Sequence, residues 1–324
     1  MRKNKFVYLL SLSNYEDIMK ECTTDRESYD VAQNKSFWET KMSQYPPGQR
    51  QSLFNVSVQN NYLYFVKILL SDENVDPQFD NNYAIRCACY NGYSDIVRLL
   101  IPYTDVTVDD NYCLRVAVEN NHNMTVYYIM TDPHLKINPS PSVEQLAKQA
   151  YIDHKNVWMT QVLSTHENIS LSVDNSILAV NAVMDGNHEL VDILLKDKSV
   201  DFSVNDNYCL QYAVYNGDND MLMKVLGDKR VDPLYNNGSL IIYCMNNDLT
   251  HKFNNLYYSP QCAMSRDTKV NNIILETSCA IPNCFYLDII LGGGKTPTSK
   301  CLHIANSAGN KDHVKILLRY NTIF

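Results

Sequence analysis

A block of about thirty residues recurs along the chain, and this recurrence restricts the fold more than any other feature. The stretch 80–100, DNNYAIRCACYNGYSDIVRLL, returns almost intact at 109–129 and at 205–226. Each copy opens on an Asx-rich turn (Asp80, Asn81, Asn82) and continues into a short run with Ile85, Ala88 and Cys89 at small or apolar positions. Asn91-Gly92 stops that run, and Ile96, Val97, Leu99 and Leu100 follow at helical spacing. Asn and Asp are expected to cap helix starts by accepting backbone N–H bonds, and Gly accepts the left-handed conformation of a tight reversal. Each copy therefore predicts a turn, a short helix, a reversal and a second helix. Aligning on Ala88 gives equivalents at Ser57, Ala117, Ala150, Ala182, Ala213, Cys244, Cys279 and Ala305, with steps of 31, 29, 33, 32, 31, 31, 35 and 26 residues. A period of roughly 33 built from two helices defines a solenoid whose repeats bury their apolar faces on their neighbours. The expectation is an all-α solenoid of about nine helix-turn-helix units over 49–324, with an N-terminal helical cap over 1–48.

Hydrophobic residues make up 45% of the 324 and charged residues 20%, enough for a packed core. A net charge of −8 with no basic stripe argues against nucleic acid or an anionic membrane as partner. Of the ten Cys, Cys113 and Cys209 share one repeat position while Cys244 and Cys279 replace the small residue. They read as packing thiols in a reducing compartment. The start, MRKNKFVYLLSLSNYED, lacks a cleavage site after its short apolar run, and no stretch reaches the about 18 to 20 apolar residues that span a bilayer. A cytoplasmic monomer is expected.

The repeat varies along its length. Asn60-Asn61, Asn120-Asn121 and Asn247-Asp248 stand where Asn91-Gly92 stands, and Gly186 and Gly217 mark two further reversals. Pro133, Pro139 and Pro141 lengthen one connection, so 131–165 is expected to be loosened. The pattern also thins over 250–295, where 253–260 reads as an insertion or finger and Pro282 interrupts 273–291. In the last copy Lys311, Lys315 and Arg319 are expected to cover the outer face.

The last copy, with Cys301-Leu302-His303-Ile304-Ala305, then Gly309 and Val314-Lys315-Ile316-Leu317-Leu318, resembles the ankyrin repeat's T-P-L-H-x-A, G-H and V-V-x-L-L-L pattern. The earlier copies are similar to a variant with D-N-Y-A-L-R in place of T-P-L-H, found in amoebae and their giant viruses; Val75-Asp76, Val200-Asp201 and Val231-Asp232 fit it. If the source is viral, the compartment is the host cytoplasm. The resemblance implies a non-catalytic protein that binds a protein partner through its turn tips and the exposed side of its first helices, forming a concave face. Residue by residue this implies Phe79, Asp80 and Tyr90, then Asp109 and Glu119, then Asn205 and Tyr215, then Tyr235 and Asn246. Such a face is acidic to neutral with scattered Tyr and suits a partner of basic or mixed character. Tyr90, Tyr215 and Tyr235 fall at positions that vary between copies, whereas Tyr83, Tyr112 and Tyr208 recur at one position and read as packing. Residues 1–48 are similar to the later two-thirds of an F-box without its opening Leu-Pro-x-Glu. That likeness implies a second reading, a substrate receptor docking on a cullin-type ubiquitin-ligase adaptor through Leu9, Leu12, Ile18, Met19, Phe37 and Trp38. The other reading of these helices is a cap on the first repeat.

Enzyme chemistry is a third reading with little behind it. Gly292-Gly293-Gly294-Lys295-Thr296 lacks the leading Gly of a phosphate loop, and Pro297 follows where a helix should start. Cys279, Cys284, Cys301 and His303 have irregular spacing for zinc. His122 and His188 sit just after reversals, at the position where ankyrin repeats form structural hydrogen bonds. His313 reads as a solvated helix residue, and Asp109-Asp110 as helix caps. No catalytic residue, metal site or cofactor is expected.

Overall fold

The computed structural model describes residues 17, 18, 20, 35–137, 139–216, 218–263 and 267–321. The described residues contain helices and no strand, and they divide into two compact halves, Met1–Ser170 and Leu171–Phe324. In the first half α1 (Lys35–Met42) precedes four helix pairs: α2 (Pro47–Gln59) with α3 (Leu63–Leu69), α4 (Phe79–Asn91) with α5 (Ser94–Leu100), α6 (Val108–Glu119) with α7 (Asn123–Met130), and α9 (Leu146–Ile152) with α10 (Val157–Leu163), the short α8 (Pro141–Glu144) leading into α9. The second half holds five pairs: α11 (Val173–Met184) with α12 (His188–Leu194), α13 (Val204–Asn216) with α14 (Asn219–Val225), α15 (Tyr235–Asn246) with α16 (Thr250–Tyr257), α18 (Thr268–Ala280) with α19 (Cys284–Gly292), and α20 (Cys301–Ser307) with α21 (Lys311–Asn321); α17 (Pro260–Ala263) follows α16. Within each half, first helices pack on first helices and second helices largely on second helices.

The column of small residues is why this stacking closes. Ser57, Ala88, Ala117, Ala150, Ala182, Ala213, Cys244, Cys279 and Ala305, each near the end of a first helix, are all buried. In six of them the carbonyl also accepts the N–H five residues on: Tyr62 on Ser57, Tyr93 on Ala88, His122 on Ala117, Asn187 on Ala182, Leu249 on Cys244 and Asn310 on Ala305. This bond ends the first helix and turns the chain through a left-handed residue. Asn61, Gly92, Asn121, Lys155, Gly186, Asp248 and Gly309 fill that place, all at positive φ. At Gly92, φ +69°, a Cβ would lie 2.5 Å from Nδ1 of His122, so the next repeat's imidazole also demands glycine.

The Asx-rich turns differ from the expectation. Asp80, Asn81 and Asn82 do not cap α4; all three are left-handed, as are Asp109 to Asn111, Asp174 to Ser176, Asn205 to Asn207 and Asn236 to Gly238. A run of three such residues is unusual for L-residues and costs least for Asn and Asp. A backbone bond closes each turn, from Asn82 to Gln78 O, Asn111 to Thr107 O, Ser176 to Ser172 O, Asn207 to Ser203 O and Gly238 to Leu234 O. The third side chain is then driven inward. Asn82 Oδ1 accepts the Asp105 N–H at 3.0 Å, Ser176 Oγ the Asp201 N–H at 2.9 Å and Asn207 Oδ1 the Asp232 N–H at 2.9 Å, each from the following connection. Capping proper occurs where the turn is missing, at Ser140 before α8 and Asp267 before α18, and at Asn156, Asn187, Asp218 and Asn283 before second helices.

Two other expectations are corrected. Residues 253–260 are not a finger: Phe253 is buried in α16, an ordinary second helix. Pro282 falls in the reversal between α18 and α19, so it does not break that repeat. Across 131–165 the first helix is divided into α8 and α9, but α9 and α10 form a pair with Ala150 and Leu163 buried. Lys311, Lys315 and Arg319 are exposed, Lys315 paired with Asp312 at 2.9 Å.

Candidate functional site: the first-helix face

Two positions after the buried small residue, five of the nine repeats present Tyr90, Glu119, Met184, Tyr215 and Asn246, and these five are exposed. Tyr90 retains 57% of its accessible surface and Tyr215 52%. The turn tips Phe79, Asp80, Asp109 and Asn205 are exposed as well, and Tyr235 is half-buried. Its hydroxyl bonds to Asp206, which raises the phenol above its ordinary value.

In the first half this face is held by arginines. Arg86 reaches Asp109 at 3.2 Å and the Asp80 carbonyl at 3.3 Å, and its guanidinium lies 5.8 Å from the centre of the Tyr112 ring. Arg115 donates to the carbonyls of Asp110 at 2.7 Å and Asp109 at 3.1 Å, while Asn81 donates to Asp109 at 2.9 Å. Asp109 is thus part of an internal network. Tyr83 and Tyr112 contact neighbouring repeats, Tyr83 taking a hydrogen bond from Gln59 and Tyr112 lying beside Arg86, but Tyr208, expected at the same position to serve packing, is 37% exposed.

In the second half Gln211 occupies the position of Arg86 and Arg115, bonding the Asp206 carbonyl at 2.7 Å. Tyr208, Tyr212 and Tyr215 line one side of α13, with 6.2 Å between the first two rings. Tyr215 meets Tyr243 of α15 edge-on at 4.8 Å, and the Tyr212 hydroxyl donates to the Met184 carbonyl at 3.2 Å. Asn175 bridges to Asn205 at 3.3 Å.

The histidines divide by role. His122 and His154 bond the carbonyls of Tyr90 and Glu119 at 3.1 and 3.0 Å, meeting acceptors that the end of a helix leaves free. His188 pairs with Asp218 at 2.9 Å instead. His313 is not solvated: it is 1% exposed, and burial lowers its pKa. Asp109-Asp110 cap nothing; Asp110 takes a 3.0 Å bond from Ser142, and bonds to Ser140 and Ser142 lower its pKa. Of the adaptor-docking residues, Ile18, Phe37 and Trp38 are buried, Trp38 packing 4.5 Å from Phe65 of the first repeat. Leu9, Leu12 and Met19 lie outside the described residues, as does Gly217.

Gly292 ends α19 and residues 293–296 lie in the connection to α20, with Gly294 at φ +87° and no helix until Cys301. Among the described residues no group of three or more His, Cys, Asp or Glu is placed to hold a metal ion. No described helix is long and apolar enough to cross a membrane. Sequence reasoning missed the inward Asn82, Asn111, Ser176 and Asn207, although their recurrence at the third turn position was a usable signal. It also missed Tyr212 and Tyr243, which occupy one column, one residue before the small position.

The class defined by these features is a helical-repeat array with an exposed first-helix face. Residues 54–140 match the family model described as ankyrin repeats (3 copies), and the fold is an all-α ankyrin-repeat solenoid. No curated protein matches the chain.

Proposed function

We propose that the chain is a non-catalytic protein-binding module that receives a protein partner on the turn tips and first-helix face, through Phe79, Asp80, Tyr90, Asp109, Glu119, Asn205, Tyr215, Tyr235 and Asn246. The observation that carries this reading is the half-exposed state of Tyr90 and Tyr215, which lie on helices that also leave Phe79 and Tyr208 uncovered. Aromatics on a rigid scaffold anchor interfaces because few rotors are lost on binding. On the resemblance of the D-N-Y-A-L-R copies, the compartment is the cytoplasm, of the host cell if the source is viral.

The burial of Phe37 and Trp38 against the first repeat supports a capping role for the N-terminal segment. Docking on a ligase adaptor draws no support from the three candidates described. Affinity capture with the full chain and its Tyr90→Ala and Tyr215→Ala variants tests the main reading. Partners are expected to be lost from at least one variant while thermal unfolding stays unchanged; the same proteins recovered with all three baits would refute it.

A further inference from the structure

The aromatic rings of the two halves differ in one respect that points to the partner's chemistry. In the first half rings are supplied with the chain's own cations: Arg86 lies 5.8 Å from the Tyr112 ring, Arg98 5.5 Å from Tyr128 and Lys155 4.9 Å from Tyr151. In the second half the helices α11, α13 and α15 contain no Lys or Arg. The basic residues of 171–263 all lie in connections or second helices: Lys196, Lys198, Lys224, Lys229, Arg230 and Lys252. Two of them are already committed, Lys224 to Asp192 and the His188 carbonyl and Lys252 to the Val214 carbonyl. No described cation lies over Tyr208, Tyr212, Tyr215 or Tyr243. Carboxylates stand near these rings in sequence, Asp174 and Asp206 in the turns and Asp218 and Asp248 at the reversals, with Asp218 paired to His188 and Asp248 accepting from Asn283 and Tyr286.

From this we infer that the first-helix face of 173–246 receives an extended, arginine-rich segment of a protein partner, whose guanidinium groups stack on Tyr208, Tyr215 and Tyr243 within the field of these carboxylates. The inference rests on the binding-module reading and specifies its partner class. A ring face attracts a cation, and arginine adds planar stacking to that attraction. The neighbouring rings of Tyr208 and Tyr212, tilted by 35°, and the edge-on Tyr215–Tyr243 pair offer successive stations for guanidinium groups. An apolar helix would leave the hydroxyls of Tyr208, Tyr215 and Tyr243 without partners on burial.

The test is fluorescence anisotropy of the full chain with a labelled synthetic peptide of alternating Arg and Gly, beside peptides carrying Lys or Glu in place of Arg. The Arg peptide is expected to bind more tightly than the Lys peptide, and the Glu peptide not at all. Tyr208→Ala with Tyr215→Ala should weaken the Arg peptide by at least about tenfold, and Tyr215→Arg, which puts a cation on the face, should do the same. Phe at both positions should stay within about threefold, because the ring and not the hydroxyl carries the contact. Tyr103→Ala, an exposed ring that lies outside the first helices, should change nothing. Equal binding of the Glu peptide, or Arg-peptide binding that ignores both the double variant and Tyr215→Arg, would overturn the inference. If the captured native partner depends on Tyr215 while the Arg peptide does not bind, only the partner class fails; if neither depends on these residues, the binding-module reading fails with it.

Discussion

Repeats 79–130 and 204–257 share a backbone but present different surfaces. Both have the left-handed three-residue turn, the buried small residue and the inward Asn that accepts an amide from the next connection. Outward, the first carries Arg86 and Arg115 tied to its own carbonyls and carboxylates, and the second carries Gln211 among tyrosines. What the two share lies inside and sets the stack. What separates them lies outside and is free to be selected for recognition.

The largest effects should be equal in both regions. Ala117→Leu and Ala213→Leu each force extra carbon atoms into a fully buried position and should cost about 1–3 kcal/mol, read as a lowered midpoint in denaturant. A loss in one repeat alone would break the equivalence. Next come Asn82→Ala and Asn207→Ala, each leaving an amide without its acceptor at a cost of about 1–3 kcal/mol. Hydrogen exchange should accelerate at Asp105 in the first variant and at Asp232 in the second, with the other amide unchanged in each case; joint acceleration would mean that the contacts are not local.

Smaller effects should separate the regions. Arg86→Gln removes a partly exposed ion pair and should cost no more than about 1 kcal/mol, while Gln211→Arg should be close to neutral for stability and should weaken the Arg peptide by occupying the tyrosine face. The smallest expected effect is a pH dependence at the C-terminal end. Burial holds His313 below its ordinary value, so the folded protein keeps it neutral where the unfolded chain takes up a proton. Its contribution is complete above about pH 6.5 and is lost as pH falls from there through the lower folded-state value. Exchange protection of α21 should fall between about pH 7 and about pH 5, and His313→Gln should flatten that response.

Much of the fold was legible because the constraint repeats. A small residue every thirty or so positions is required at a buried place, and Ser57, Cys244 and Cys279 could be recognised as substitutes for Ala by register alone. The left-handed turn was not legible, since Asx-rich runs ordinarily signal a cap; only the inward bond of Asn82 or Asn207 explains why the chain winds the other way. The finger expected at 253–260 failed for a related reason. Lys252, His251 and two Asn obscure an apolar stripe that Phe253, Leu256 and Tyr257 complete. His313 was misread because its burial depends on the preceding repeat's reversal, which no local pattern reveals. At the candidate site, Tyr90 and Tyr215 could be chosen by their variation between copies, but their relation to Tyr212, Tyr243 and the arginines required the packing of neighbouring repeats.

The central claim is that the inward column carries the fold and the outward column carries binding. The most direct test is one paired measurement on the Tyr208→Ala, Tyr215→Ala double variant: thermal midpoint and Arg-peptide affinity from the same preparation. The account predicts a midpoint within about 2–4 °C of the parent, since surface changes rarely exceed about 0.5 kcal/mol, together with at least about a tenfold loss of affinity. A large fall in the midpoint, or an affinity that does not move, would contradict it.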